Sequence, residues 1–265
     1  MRLGFVGAGR VGKGLSLALS RAGYTITGVA SRSRGDAQKV VDASDIVFLT
    51  VPDDAIAAAC RSLTWKKQGV VHCSGAAELT VLEAASGPVG GFHPLVMFAD
   101  PEIAARSIAG AAIAVEADEP LLSRLKSMVD ALGARLLVIP PGARAAYHGG
   151  AHFAAAFVCA LLAEGVEIYK RIGIAPEDAL TALLGLLRGA TDAVAHSGPS
   201  KAMAGSIARG DIDTVRRHLA ALDALDVRFG EIYRTLALKT VPLALAAGGM
   251  TPARAEEIRK LLASR

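Results

Sequence analysis

The chain has 265 residues, of which 52% are hydrophobic but only 5% aromatic, and it carries a formal net charge of +4. That length suits one large domain or two ordinary ones, and an apolar surface drawn mostly from alanine, leucine and valine describes a soluble protein of closely packed helices and strands. The positive charge is spread along the chain without a lysine–arginine block, which excludes a nucleic-acid footprint and leaves room for a small anionic ligand.

Leu3 to Val6 reads as a buried strand, and Met1 runs almost directly into it, so no targeting segment is expected. The strand passes without a spacer into Gly7-Ala8-Gly9-Arg10-Val11-Gly12, which opens an amphipathic helix. Gly7 allows the tight turn, Gly9 lets the backbone approach a pyrophosphate, and Gly12 lets helix and strand pack closely. The phosphates of a dinucleotide would sit on amides at the positive end of the helix, so Gly7, Ala8, Gly9, Arg10, Val11 and Gly12 are assigned to cofactor binding. Val11, Leu15, Ala18, Leu19 and Ala22 make the apolar face of that helix, and Gly23 closes it.

The second strand, Tyr24 to Ala30, ends at Ser31-Arg32-Ser33-Arg34. A site for NAD would end here in an acid that holds the ribose 2′-hydroxyl. Two arginines and two hydroxyls instead form a cradle for a 2′-phosphate, which points to NADP(H). Gly35 to Ser44 leaves room for only about two helical turns. The next strand runs from Asp45 to Val51; Ile46 to Val51 is apolar on both faces, as a central parallel strand should be, and Pro52 ends it, with Asp53 expected to cap a helix to about Arg61. A strand from Gly69 to Cys73 ends at Ser74-Gly75, and a helix follows around Glu78 to Ala85. Val89 to Phe92 ends at His93-Pro94. Ala111 to Glu116, a helix from about Glu119 to Leu132 and a strand from Arg135 to Ile139 complete a doubly wound, mostly parallel α/β sheet.

Pro140-Pro141-Gly142 is the expected boundary between a dinucleotide-binding domain (1–140) and an all-helical domain (141–265) with breaks near 173–176, 197–199, 208–211 and 248–252. Ala143 to Ala163 is apolar enough to raise a membrane span, but Arg144, His148 and His152 would be costly in lipid, so a buried helix is expected. The alanine-rich helices are expected to form a homodimer interface. Cys60, Cys73 and Cys159 are odd in number and lack CxxC spacing, which disfavours a disulfide framework or zinc site and fits a reducing cytoplasm.

Ligands of open α/β sheets bind beyond the carboxyl ends of the strands, which selects Thr50, Val51 and Pro52 as cofactor contacts, with Ser74 and His93 as candidates for chemistry. His93 stands where Pro94 turns the chain out of the sheet, and an imidazole there can deliver a proton to a carbonyl or imine. Ser74 is equally readable as a turn residue, and His72, inside its strand, as a hydrogen-bonded core histidine. His148 and His152 lie one helical turn apart; without a neighbouring acid the pair is not assigned a metal, and His148 is taken as a second candidate proton donor.

The chain resembles the bacterial two-domain oxidoreductases that join a Rossmann-like domain to a helical domain of unknown function. These belong to the superfamily of 6-phosphogluconate dehydrogenase, 3-hydroxyisobutyrate dehydrogenase, ketopantoate reductase and pyrroline-5-carboxylate reductase. The markers are Gly7 to Gly12, Asp45 to Asp53, His72-Cys-Ser-Gly75, Gly91-Phe-His-Pro-Leu95, Ala146-Tyr-His148 and Ala208-Arg-Gly-Asp211. The resemblance implies NAD(P) binding, a nicotinamide facing the interdomain cleft and dimerisation through the helices, for a group with no settled substrate. The hydroxyacid dehydrogenases of the superfamily use a lysine early in the second domain, whereas here that region offers His148 and the nearest lysine is Lys170. The expected activity is therefore NADPH-dependent transfer of hydride to or from a small, anionic carbonyl or imine compound, with His93 or His148 as donor and Arg209 as a possible carboxylate contact. The alternatives are a non-catalytic NADP(H)-binding regulator and an imine reductase of the pyrroline-5-carboxylate reductase kind.

Overall fold

Short β-branched and aromatic runs alternate with amphipathic segments, and in a computed structural model they build one sheet and a set of helices. The structure describes residues 1–31 and 35–264. The strands are β1 (Arg2–Val6), β2 (Thr25–Ala30), β3 (Ile46–Leu49), β4 (Gly69–His72), β5 (Val89–Pro94), β6 (Ala112–Ala117) and β7 (Arg135–Val138), in the order β2-β1-β3-β4-β5-β6-β7. The sheet is doubly wound and mostly parallel, with β5 and β6 as its antiparallel pair. The order reverses at β1, which lies between β2 and β3, so the carboxyl ends of β1 and β3 form the crevice where such sheets bind ligands.

Helix α1 (Arg10–Arg21) follows β1, α2 (Ala37–Asp42) is the expected short helix, and α3 (Ile56–Arg61) follows β3. Two local expectations are corrected. Asp53 caps no helix: Asp53–Ala55 is a 3₁₀ turn without a side-chain cap, because the carboxylate accepts the Ser74 hydroxyl instead. The helix expected around Glu78 to Ala85 shrinks to a 3₁₀ turn at Leu79–Leu82. A further helix, α4 (Pro101–Ser107), had a legible signal: Asp100 accepts the amides of Glu102 and Ile103 at 2.9 Å each, ahead of a proline in the first turn. α5 (Leu121–Ala131) joins β6 to β7.

The sheet buries both faces. Ile46 and Phe48 of β3 join Leu3, Phe5, Phe92 and Leu15 on one side, while Val47 and Leu49 join Val70, Ile56 and Trp65 on the other. This period-2 split explains why β3 reads as continuously apolar.

By its contacts the chain divides into compact units Met1–Ala154 and Ala155–Arg265. The Pro140–Gly142 break is a turn, and the first unit runs one helix further, through α6 (Arg144–His152), because the Arg144 side chain is fully buried there. The second unit contains α7 (Ala156–Arg171), α8 (Pro176–Lys201, kinked at Gly198), α9 (Ile212–Leu225), α10 (Val227–Ala246) and α11 (Pro252–Ala263). Its core lies on α9 to α11, from Ile212, Val215 and Leu219 to Val241, Ile258 and Leu262.

The stretch Arg144–Arg171, with mean hydropathy 1.6, is long and apolar enough to cross a membrane by length and composition. It is not the buried helix expected from its sequence: α7 has no buried residue, α8 only Ala179, and Leu161 and Leu186 are 44% and 70% exposed. α7 meets α8 where a Cβ on Gly165 would lie 3.0 Å from Leu183, and both also touch neighbouring helices of the unit, yet Phe157, Leu161, Leu180, Leu186 and Val194 stay exposed. The stretch is also broken between α6 and α7.

Candidate functional site

The glycine turn has the geometry its sequence requires. Gly7 has φ +124°, a conformation that L side chains rarely adopt, and its amide donates to the Ala30 carbonyl at 2.8 Å. A Cβ on Gly12 would collide with the Gly7 carbonyl, whereas one on Gly9 would meet nothing within 4 Å. The turn is therefore tight on the protein side and open on the ligand side. α1 begins without a side-chain cap and without an acid in its first turn, which leaves its positive end suited to a phosphate. Thr50 locks the crevice by donating its hydroxyl to the Gly7 carbonyl at 2.7 Å.

Two cavities open along this crevice. One of about 570 Å³ is lined by Val6 to Gly9, Ser31, Ala37, Thr50 to Pro52, Ala55, Ala58, Ala59, Ser62 and Leu63. The other, of about 500 Å³, is lined by Gly9, Arg10, Val11, Thr50 to Asp53, Cys73, His93, Pro94, Val96 and Phe98. They share Gly9, Thr50, Val51 and Pro52. A dinucleotide needs two pockets joined over a phosphate-binding turn, and these residues fit one. The expected 2′-phosphate contacts Arg32, Ser33 and Arg34 lie outside the described residues; Ser31 lines the larger cavity.

His93 is the chemical candidate that the structure brings to this crevice. Burial, then the charges of His148 and Arg144, push its pKa down to about 4, with Asp53 acting in the opposite direction, so the ring is neutral at neutral pH. Its Nδ1 lies 2.8 Å from the Tyr147 hydroxyl, which burial pushes up to about 12. The His148 ring packs edge-on against His93 at 5.6 Å and against His152 at 4.7 Å. Among the described residues no group of three or more His, Cys, Asp or Glu is arranged to hold a metal.

Ser74 occupies a turn. Its hydroxyl donates to Asp53 at 2.7 Å and accepts the amides of Ala76 and Ala77 at 3.1 and 2.9 Å, and it lines neither cavity. His72 is buried as expected, but neither ring nitrogen has a hydrogen-bond partner among the described residues, which corrects the expected hydrogen-bonded state. Burial, then the Arg144 and His93 charges, push its pKa down to about 3. Burial likewise pushes the Cys73 thiol up to about 12, so it is a protonated wall residue and not a nucleophile.

The sequence reading missed Arg144. Its guanidinium meets Glu116 at 3.0 Å and donates to the Ser74 carbonyl at 2.6 Å. A Cβ on Gly91 would strike that guanidinium. The glycine thus makes room for the arginine that seats α6, and α6 carries Tyr147 and His148 to His93.

Residues 2–75 match the model of the coenzyme F420-dependent NADP oxidoreductases, and residues 111–240 match that of a domain of unknown function, DUF2520. Among solved structures, the Thermotoga maritima protein TM1727 is 25% identical with TM-score 0.73, covering 92% of this chain and 98% of that one. The 1-pyrroline-5-carboxylate reductase of Streptococcus pyogenes is 13% identical with TM-score 0.64, covering 98% of both chains. The imine reductase of a Pseudomonas species is 17% identical with TM-score 0.60, covering 97% of this chain and 98% of that one. No curated protein matches the chain.

Proposed function

We propose that this chain, in which an NADP oxidoreductase domain precedes a domain of unknown function, is an NADPH-dependent oxidoreductase acting on a small carbonyl or imine compound. The observation that carries this reading is the floor that the two cavities share, with the glycine turn at its centre and His93 at one end. When bound there, NADPH supplies the hydride. Gly7 to Gly12 would hold the pyrophosphate, Ser31 with Arg32, Ser33 and Arg34 would hold the adenosine 2′-phosphate, and Thr50, Val51 and Pro52 would support the dinucleotide between the pockets. His93 delivers the proton. At neutral pH that proton belongs to an uncharged ring, and His148 serves as its neighbour while Ser74 holds the adjoining turn.

Asp53 supports a second reading, an imine reductase. Its carboxylate lines the same cavity as His93, where it would stabilise a protonated C=N bond over a neutral carbonyl. The Pseudomonas and Streptococcus folds are those of enzymes named for imine and pyrroline-carboxylate reduction.

NADPH is expected to bind at least tenfold more tightly than NADH in calorimetry, about 1.4 kcal/mol, and alanine at Arg32 and Arg34 should erase the difference. With NADPH and a panel of cyclic imines and ketones, His93→Ala should lower turnover by a factor of about 10² or more while leaving NADPH affinity unchanged. Tight NADPH binding with no turnover on any of the panel would favour the regulator over the enzyme. The open faces of α7 and α8 support a homodimer, to be read by light scattering, and the free cysteines at Cys60, Cys73 and Cys159 support a reducing cytoplasm.

A further inference from the structure

A neutral histidine has one ring proton and two nitrogens to carry it, so its usefulness as a donor depends on which nitrogen is protonated. His93 Nδ1 is 2.8 Å from the Tyr147 hydroxyl, with the two rings edge-on at 5.7 Å. Tyr147 comes from α6, which Arg144 fastens to the sheet through Glu116 and the Ser74 carbonyl. The other titratable and charged groups acting on His93 are the His148 ring at 5.6 Å, the Arg144 guanidinium, the Asp53 carboxylate and buried His72 on the neighbouring strand. The Tyr147 hydroxyl lies within hydrogen-bonding distance of Nδ1, and by donating a hydrogen bond to that nitrogen it can fix the ring while Nδ1 stays unprotonated.

We propose that Tyr147 is the positioning residue of this site: its hydroxyl donates to His93 Nδ1, holds the imidazole as the Nε2–H tautomer, and so commits the proton to the nitrogen left for the ligand. The role of that proton rests on the reading of His93 as the donor. A neutral imidazole that gave up its proton alone would be left an anion. NADPH, when bound, would supply hydride to the substrate carbon, and His93 would pass its Nε2 proton to the substrate heteroatom. One N–H bond breaks and one O–H or N–H bond forms on the substrate. Nδ1 would then take the Tyr147 proton; burial opposes the resulting phenolate, the Arg144 charge acts in its favour, and solvent returns the proton. No further oxidant or reductant is needed.

The test is a long-range ¹H–¹⁵N spectrum of histidine-labelled full chain at neutral pH, with His93 assigned by its loss in His93→Asn. The expected pattern is a protonated Nε2 and a bare Nδ1, and Tyr147→Phe should move both nitrogens toward the averaged position of a mixed population. His148→Ala should leave the pattern unchanged. A protonated Nδ1 in the intact chain, no change in Tyr147→Phe, or the same collapse in His148→Ala would each overturn the proposal. Should the phenylalanine variant fail to fold, a slowly exchanging Tyr147 hydroxyl proton close to the His93 ring in the intact chain supports it, and absence of that proton overturns it. The spectrum needs no cofactor. Failure of NADPH to bind in calorimetry would therefore sink the oxidoreductase reading separately, while the tautomer stands or falls by itself.

Discussion

The sheet unit and the helical unit solve the burial problem differently. In the first, aromatic and branched side chains such as Phe5, Phe48, Phe92 and Ile46 are fully buried on both faces of the sheet, and even charged Arg144 is taken inside with its partner Glu116. In the second, the core is a modest cluster on α9 to α11, and the side chains of α7 and α8 remain largely uncovered. A unit that is closed can hold neutral histidines and a buried ion pair in fixed geometry. A unit with open apolar faces is built to be completed by something else, and its stability should depend on protein concentration.

The largest expected effect breaks the closed unit at its buried charge. Arg144→Ala leaves Glu116 without its guanidinium and should cost about 3–5 kcal/mol in urea unfolding, whereas replacing both partners by apolar residues of similar volume should recover most of it. Next comes acid. His72 titrates at about 3 in the fold against an ordinary 6.5, so below pH 6.5 the unfolded chain binds the extra proton and stability falls. Between pH 7 and 5 the loss from His72 should be about 2 kcal/mol, and His72→Asn should flatten that part of the curve; an unchanged slope would mean that the ring is not held neutral by burial. The corresponding ion pair of the helical unit, Arg234 with Asp223 at 2.6 Å, is partly open to solvent, with side chains 19% and 33% exposed. Arg234→Ala should therefore cost less than Arg144→Ala, because water can take over the carboxylate. The smallest expected effect is Leu186→Ala on the open face of α8, within about 0.5 kcal/mol for an isolated chain. A loss that grows with protein concentration would show instead that this face is covered in an assembly.

The periodicities made much of this legible. Gly7 to Gly12 announced the turn because only glycine can hold φ +124° beside one neighbour's carbonyl and spare room at another, and that requirement is local. The same holds for Gly23 after α1 and for the double-sided hydrophobicity of β3. His93 is legible as a candidate because strand ends and prolines mark where a sheet stops. Asp53 was misread because its capping signal was real but a stronger acceptor role, toward Ser74, was offered from another strand. Ser74 is readable in the sequence as either a site or a turn residue, and its three hydrogen bonds are those of a turn.

What the sequence by itself determined is the succession of the seven strands, the glycine turn after β1 and the residue types at the carboxyl ends of β3 and β5, since each depends on neighbours within a few positions. Only the tertiary structure decided that Arg144 lies inside the sheet unit, that Tyr147 bonds His93 across 54 positions of chain, and that α7 is open rather than buried. The physical reason is the range of the interactions. Backbone conformation and hydrophobic period are written in adjacent residues, but burial of a charge, the protonation of a histidine and the cover over an apolar face depend on what other segments place beside them.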